Sequence, residues 1–205
     1  MRRTQPNRSF ALVAALLVAI LAGCGGGKAK LIPPDQPANP DYLEQSSAVN
    51  LLANLRTSYE KREFPEYNNL FSQDYIFVFN PADVEDPFNP TPQQWARADE
   101  MDSAENLFAN DRVDGITLNW SIGALAADDT YPGHPWKIRV DNVQLDIQTR
   151  AEDGTVWIYQ VNGATHVYFF REAPAERASD GKTKWYCTRW EDSPIGLFKA
   201  PVAEL

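Results

Sequence analysis

Helical periodicity stops at Asn110 and does not return. Before it, Ala48, Leu51, Leu52, Leu55 and Tyr59 recur three and four residues apart, and Ala98, Met101, Ala104, Leu107 and Phe108 form a second stripe. After it, apolar and polar residues alternate. Ile116 to Ile122, Trp136-Ile138-Val140, Val143-Leu145-Ile147 and Trp185 to Trp190 all read as strands. A chain with its helices first and its strands last predicts an α+β fold, with the helices gathered on one face of an antiparallel sheet. The alternation slips by one residue at Asp141-Asn142, the mark of a β-bulge, and Gly163 predicts a bend in a long strand. Such devices curve a sheet and leave a concavity under the helices.

Shorter signals place the remaining elements. Ser46 and Ser47 are candidate N-caps for the first helix, which closes in the polar turn Lys61-Arg62-Glu63. Phe64 to Leu70 reads as a short second helix with Pro65 in its first turn. Tyr75 to Phe79 is a β-rich run ended by Asn80-Pro81, and Asp83 to Pro92 is irregular. A third helix is expected to begin near Gln94 or Trp95. Asp128 to Pro135 and Ala173 to Thr183 read as loops, and Asp153-Gly154 as a hairpin turn. Trp157, Tyr159, Val161, Val167 and Phe169 are expected to share one face of the long strand.

The N-terminus carries an address. Arg2, Arg3 and Arg8 precede an apolar run from Phe10 to Ala22, which ends in Leu21-Ala22-Gly23-Cys24. The run is too short for the roughly twenty residues that span a bilayer. A basic start, a short apolar stretch and small residues at the cut make a secretory signal. With a cysteine just after the cut, it resembles a bacterial lipoprotein signal. That resemblance implies a diacylglyceryl thioether on Cys24 and cleavage after Gly23. Gly25, in place of the inner-membrane retention Asp, implies the periplasmic side of the outer membrane. The expected plan is a signal peptide over 1–23, a lipidated cysteine and Gly/Pro-rich tether over 24–45, one domain over 46–192 and a tail over 193–205.

Charge and cysteine count narrow the partners. Loss of three arginines and no acid moves the formal charge from −9 to −12. Such an acidic surface argues against nucleic acid. With Cys24 lipidated, Cys187 has no partner in the chain and reads as a buried, inert thiol. His134 and His166 lack metal-ligand spacing, so no metal and no cofactor is expected.

Three stretches, LRTSYEKREFPEY (55–67), LFSQDYIF (70–77) and WYCTRWED (185–192), resemble the nuclear transport factor two-like superfamily, the polyketide cyclase-like cone fold. The resemblance covers 46–192 and implies a curved antiparallel sheet with helices packed on its concave side. Enzymes, binders and scaffolds all occur on this fold, so it implies no single activity. Val84-Glu85-Asp86-Pro87 is similar to the stretch that carries the general-base Asp of ketosteroid isomerases. Aligning Phe71 and Asp74 with the family's Phe-x-Asp-Asp run puts the base position on Phe79, seven residues before Asp86, and the family's helix Tyr on Leu55. Both roles fall vacant, and Asp86 reads as a solvated loop acid.

No catalytic residue is therefore assigned. Tyr59, Phe79, Trp95, Met101, Trp120 and Trp136 are the residues expected nearest a cone pocket. The expected function is a membrane-anchored, non-catalytic module that binds a small apolar ligand or an envelope protein. The alternatives are an isomerase, dehydratase or cyclase working in the cone, and an accessory subunit of an envelope assembly. A homodimer through the sheet is a further expectation.

Overall fold

Ser47 caps helix α1 (Ala48–Lys61), its Oγ accepting the Asn50 N–H at 3.2 Å. The computed structural model describes residues 39, 41–81 and 92–193. The signal segment, Cys24, the tether as far as residue 38, Asp86 and the tail from residue 194 lie outside the described residues. Ala48, Leu51, Leu52 and Leu55 are all buried, each leucine contributing about 1.5–3 kcal/mol. The helix stops at Arg62, in the left-handed region at φ 57°. From there the Arg62 guanidinium donates to the carbonyls of Phe108, Val113 and Asn110, tying this helix end to the end of α3. Helix α2 (Phe64–Asn68) follows, with Pro65 in its first turn. Helix α3 is Arg97–Ala109, and the Asp99 carboxylate accepts the Ala96 N–H at its start. Among the described residues no helix is long and apolar enough to cross a membrane.

Six strands form one curved sheet: β1 (Phe71–Val78), β2 (Gln94–Ala96), β3 (Val113–Ala127), β4 (Trp136–Arg150), β5 (Val156–Arg177) and β6 (Thr183–Ser193). Their spatial order is β2-β1-β6-β5-β4-β3. The last four strands run as an antiparallel meander, which brings β6 beside β1. That pair is parallel, with Phe77 opposite Trp190, so the sheet is mixed rather than wholly antiparallel. The helices pack on one face of it, α1 against β3 and β6 and α3 against β1, around a single core. The fold is α+β, a curved sheet with its helices on the concave side.

Two crease points bend the central hairpin. The β4–β5 register shifts between Val140 and Val143, where Asn142 takes φ 54°, and Gly163 on the facing strand takes φ 74°. Both residues tolerate that conformation at little steric cost. The crease also flips the phase of β5. Val161 packs on the core, and beyond the bend the core-facing residues are His166, Tyr168 and Phe170. Val167 and Phe169 therefore turn to the convex face, and Trp157 is exposed, instead of all sharing one side. Three further boundaries differ from the sequence reading. Gln94–Ala96 is a short strand on β1, so α3 starts two residues past Trp95. Strand β3 runs on to Ala127. Much of Ala173 to Thr183 is strand, because β5 continues to Arg177 before the turn into β6.

Candidate functional site

Sheet register sorts the central residues onto two faces. Side chains of successive strand residues point to opposite faces. Ile138, Tyr168 and Trp190 form one row across β4, β5 and β6, and Val140, His166 and Asp192 the next; both face the helices. The interleaved rows, Lys137-Phe169-Arg189 and Arg139-Val167-Glu191, face away from them. Each face carries its own set of polar groups.

The concave face is rich in aromatic contacts. Trp120 packs edge-on to Tyr168 at 6.1 Å, Tyr168 against Trp190 at 4.8 Å, and Trp190 against Phe77 at 5.1 Å. Phe77, Phe79 and Trp95 close that end, with Phe79 4.7 Å from Phe77 and 4.8 Å from Trp95. The structure thus brings Phe79, Trp95 and Trp120 into one aromatic chain. Tyr59 belongs to a second cluster, edge-on to Tyr67 at 5.4 Å and Phe108 at 5.3 Å. Met101 is buried on α3, and Trp136 stands apart beside Trp185. Leu55 is in the core. The cavity between α1 and the sheet measures about 10 Å³, the scale of one water.

Several ionisable groups lie in this interior. Glu100 shares the apolar stripe of α3 with Met101, Ala104 and Phe108, and its Oε1 accepts from the Tyr67 hydroxyl at 2.5 Å. Burial pushes its carboxyl up to about 7, against the pull of that hydrogen bond. Burial likewise raises the hydroxyls of Tyr67, Tyr75 and Tyr168 and the Cys187 thiol. A thiol held up in this way supplies no thiolate nucleophile. Among the described residues, the Tyr75 and Tyr168 hydroxyls and Trp190 Nε1 have no hydrogen-bond partner. His166 Nδ1 lies 3.0 Å from Asp192 Oδ1, off the hydrogen-bonding direction. Glu100 was legible as an acid one turn before Ala104 on an apolar stripe; sequence reading passed over it.

The convex face holds an open concavity. The loop from 128 to 135 folds back over the sheet, closed by the Asp128 N–H donating to the Pro135 carbonyl at 2.9 Å. Tyr131 lies edge-on to Phe169 at 5.3 Å, and the Arg189 guanidinium stacks 4.1 Å over the Tyr131 ring. Thr188 donates its one hydroxyl proton to the Phe169 carbonyl at 3.2 Å. His134 Nδ1, 2.7 Å from Thr188 Oγ1, is then the donor to that hydroxyl oxygen. Burial would raise the Asp128 carboxyl, but Lys137, the Tyr131 N–H and Thr130 hold it below the usual carboxylate range. Tyr131's hydroxyl is raised chiefly by its hydrogen bond to Glu191. Under this loop lies a groove of about 380 Å³, floored by Ala124, Ala126, Val167 and Phe169. That is within the size range of small-molecule sites. Among the described residues no group of three or more His, Cys, Asp or Glu is placed to hold a metal ion.

No family model matches the sequence, and no curated protein matches it. Solved structures resemble it in outline. A conserved protein from Planctomyces limnophilus is 12% identical, over 71% of this chain and 91% of that one, with a TM-score of 0.46. A ketosteroid isomerase-like protein from Erwinia carotovora atroseptica is 11% identical, over 72% and 93%, with a TM-score of 0.42. An NTF2-like protein of unknown function in nutrient uptake, from Rhodospirillum rubrum, is 11% identical over 73% and 99%, at 0.39. At such identity no residue role carries across, and the site is read from this chain's own geometry.

Proposed function

We propose that this chain is a bacterial envelope lipoprotein, anchored through Cys24, whose α+β domain is a non-catalytic binding module. The observation that carries the binding role is the groove of about 380 Å³ on the convex side, under the loop from 128 to 135. The cavity between α1 and the sheet, at about 10 Å³, is far smaller. A preformed, rigid concavity is what a small-molecule site needs. Acid–base chemistry would fall to Glu100 or to the His166–Asp192 pair, and neither lines the groove. The anchor rests on the Leu21-Ala22-Gly23-Cys24 order, and the periplasmic side of the outer membrane on Gly25.

A second reading, an accessory subunit or a homodimer, has one observation in its favour. Val156, Trp157 and Ile158 are all exposed in a row where β5 begins, with Trp157 at 53%. Consecutive exposed apolar residues mark contact surfaces.

The test has two arms. Cells expressing the full chain are fed labelled palmitate; label is expected on the wild type and lost in Cys24→Ser. Amide shifts of the full chain are then mapped against a panel of small apolar compounds. Shifts are expected at Ala126, Val167 and Phe169. Shifts confined to Trp120, Tyr168 and Trp190, or turnover of a carbonyl compound, would overturn the reading.

A further inference from the structure

The groove on the convex face is lined by two acids, Asp128 and Glu191, and two bases, Lys137 and Arg139, in a chain that is acidic as a whole. The protein has 28 acidic and 19 basic residues, excluding histidine. The groove's two bases are more exposed than its two acids. The Asp128 side chain is fully buried, while Lys137, its partner at 2.8 Å, is 39% exposed. Glu191 is 23% exposed and already engaged by Arg189 Nε at 2.6 Å and by Tyr131. Arg139 is 58% exposed. It donates through Nε to Asp141, which does not line the groove, and its terminal nitrogens make no hydrogen bond among the described residues. Lys137 and Arg139 lie two apart on β4 and so stand side by side.

We infer that the groove takes a small amphipathic anion. Its flat apolar body lies on Val167, between the exposed Ala124 and Ala126 and the Tyr131 loop. Its carboxylate, or another oxyanion, takes the free fork of Arg139 and the Lys137 ammonium. A guanidinium fork matches an oxyanion in two parallel hydrogen bonds. Arg139 keeps Asp141 on Nε while it does so. A cation would meet exposed positive charge, and a neutral body would leave the fork unused. This assignment rests on the groove being the binding site and names the class of its ligand.

Two fluorescent probes with similar aromatic bodies separate the two claims. Anilinonaphthalene sulfonate is the anion, and N-phenylnaphthylamine its uncharged counterpart. Each is titrated into the full chain. The anion is expected to bind at least about tenfold more tightly, roughly one charge-assisted contact. Arg139→Gln and Lys137→Gln should each weaken the anion by about tenfold and leave the neutral probe unchanged. Arg139→Lys should restore part of the loss. Added salt should weaken only the anion. Ala126→Phe, or Ala124→Phe if the first does not fold, should expel both probes. Equal affinities, insensitive to Arg139→Gln but abolished by Ala126→Phe, would keep the groove and overturn the anion. Binding of both probes unchanged by the phenylalanine would overturn the groove reading as well.

Discussion

Replacing Glu100 with glutamine should flatten the protein's stability against pH. Glu100 is 6% exposed, hydrogen-bonded to Tyr67 and close to Tyr75. Burial raises its carboxyl from 4.5 to about 7. The native state therefore holds this proton more tightly than the unfolded chain does. The stability it contributes is complete below pH 4.5 and is lost as pH rises toward 7. At about 1.36 kcal/mol per pH unit, the loss amounts to about 3 kcal/mol. The amide introduced by Glu100→Gln would keep an oxygen for the Tyr67 hydroxyl and does not titrate. Its new N–H donors bring a constant penalty of about 1–3 kcal/mol if unpaired. The Tyr75 hydroxyl, without a partner among the described residues, is a neighbour able to accept one of them. A constant penalty moves the whole curve without changing its slope. Urea unfolding followed by tryptophan fluorescence, at intervals from pH 5 to 8, gives both slopes. His134 is lowered by burial and by Arg189 and also responds in this range, but it is common to both proteins and cancels in the difference. Parallel curves would refute the reasoning, since they would show that Glu100 is not held neutral by its surroundings.

Two further substitutions test the walls of the groove. A Cβ at Gly123 would sit 2.7 Å from the Arg139 carbonyl oxygen, on backbone that cannot swing aside; Gly123→Ala should cost about 1–3 kcal/mol in thermal unfolding and shift the amides of Arg139. Thr188→Val removes the hydroxyl that joins His134 to the Phe169 carbonyl in a fully buried position. It should cost about 1–3 kcal/mol and speed proteolysis between 128 and 135, and unchanged cleavage there would mean that Thr188 does not brace the loop.

What could be read in advance followed local rules. The slip at Asp141-Asn142 is visible because a bulge interrupts a period of two, and the structure puts Asn142 at φ 54° there. The Ser47 cap and the Gly154 turn, at φ 88°, are local in the same way. The phase of β5 beyond Gly163 was not legible, because either face could follow a bend and only packing against Trp190 and Trp120 decides. The parallel β1–β6 pair depends on where the meander ends, which no single stretch encodes. Of the six residues expected around a pocket, Phe79, Trp95 and Trp120 meet through Phe77, Trp190 and Tyr168, contacts between distant parts of the chain. The groove was invisible for the same reason. It needs Tyr131, Phe169 and Arg189 to stack across three separate segments.

The crease at Asn142 and Gly163 also divides the sheet into regions that can open separately. Among the described residues, pairing with β6 reaches Thr165 on β5, opposite Ser193. From Val156 to Asn162, β5 has β4 as its sole strand neighbour among the described residues. Hydrogen bonds at a two-sided strand must break in pairs, whereas those at a free margin break singly and more often. The hairpin tip around Asp153-Gly154 can therefore fray while the rows that carry Lys137, Arg139 and Glu191 stay zipped on both sides. Hydrogen exchange is expected to be faster from Val156 to Asn162 than in the rows that flank the groove.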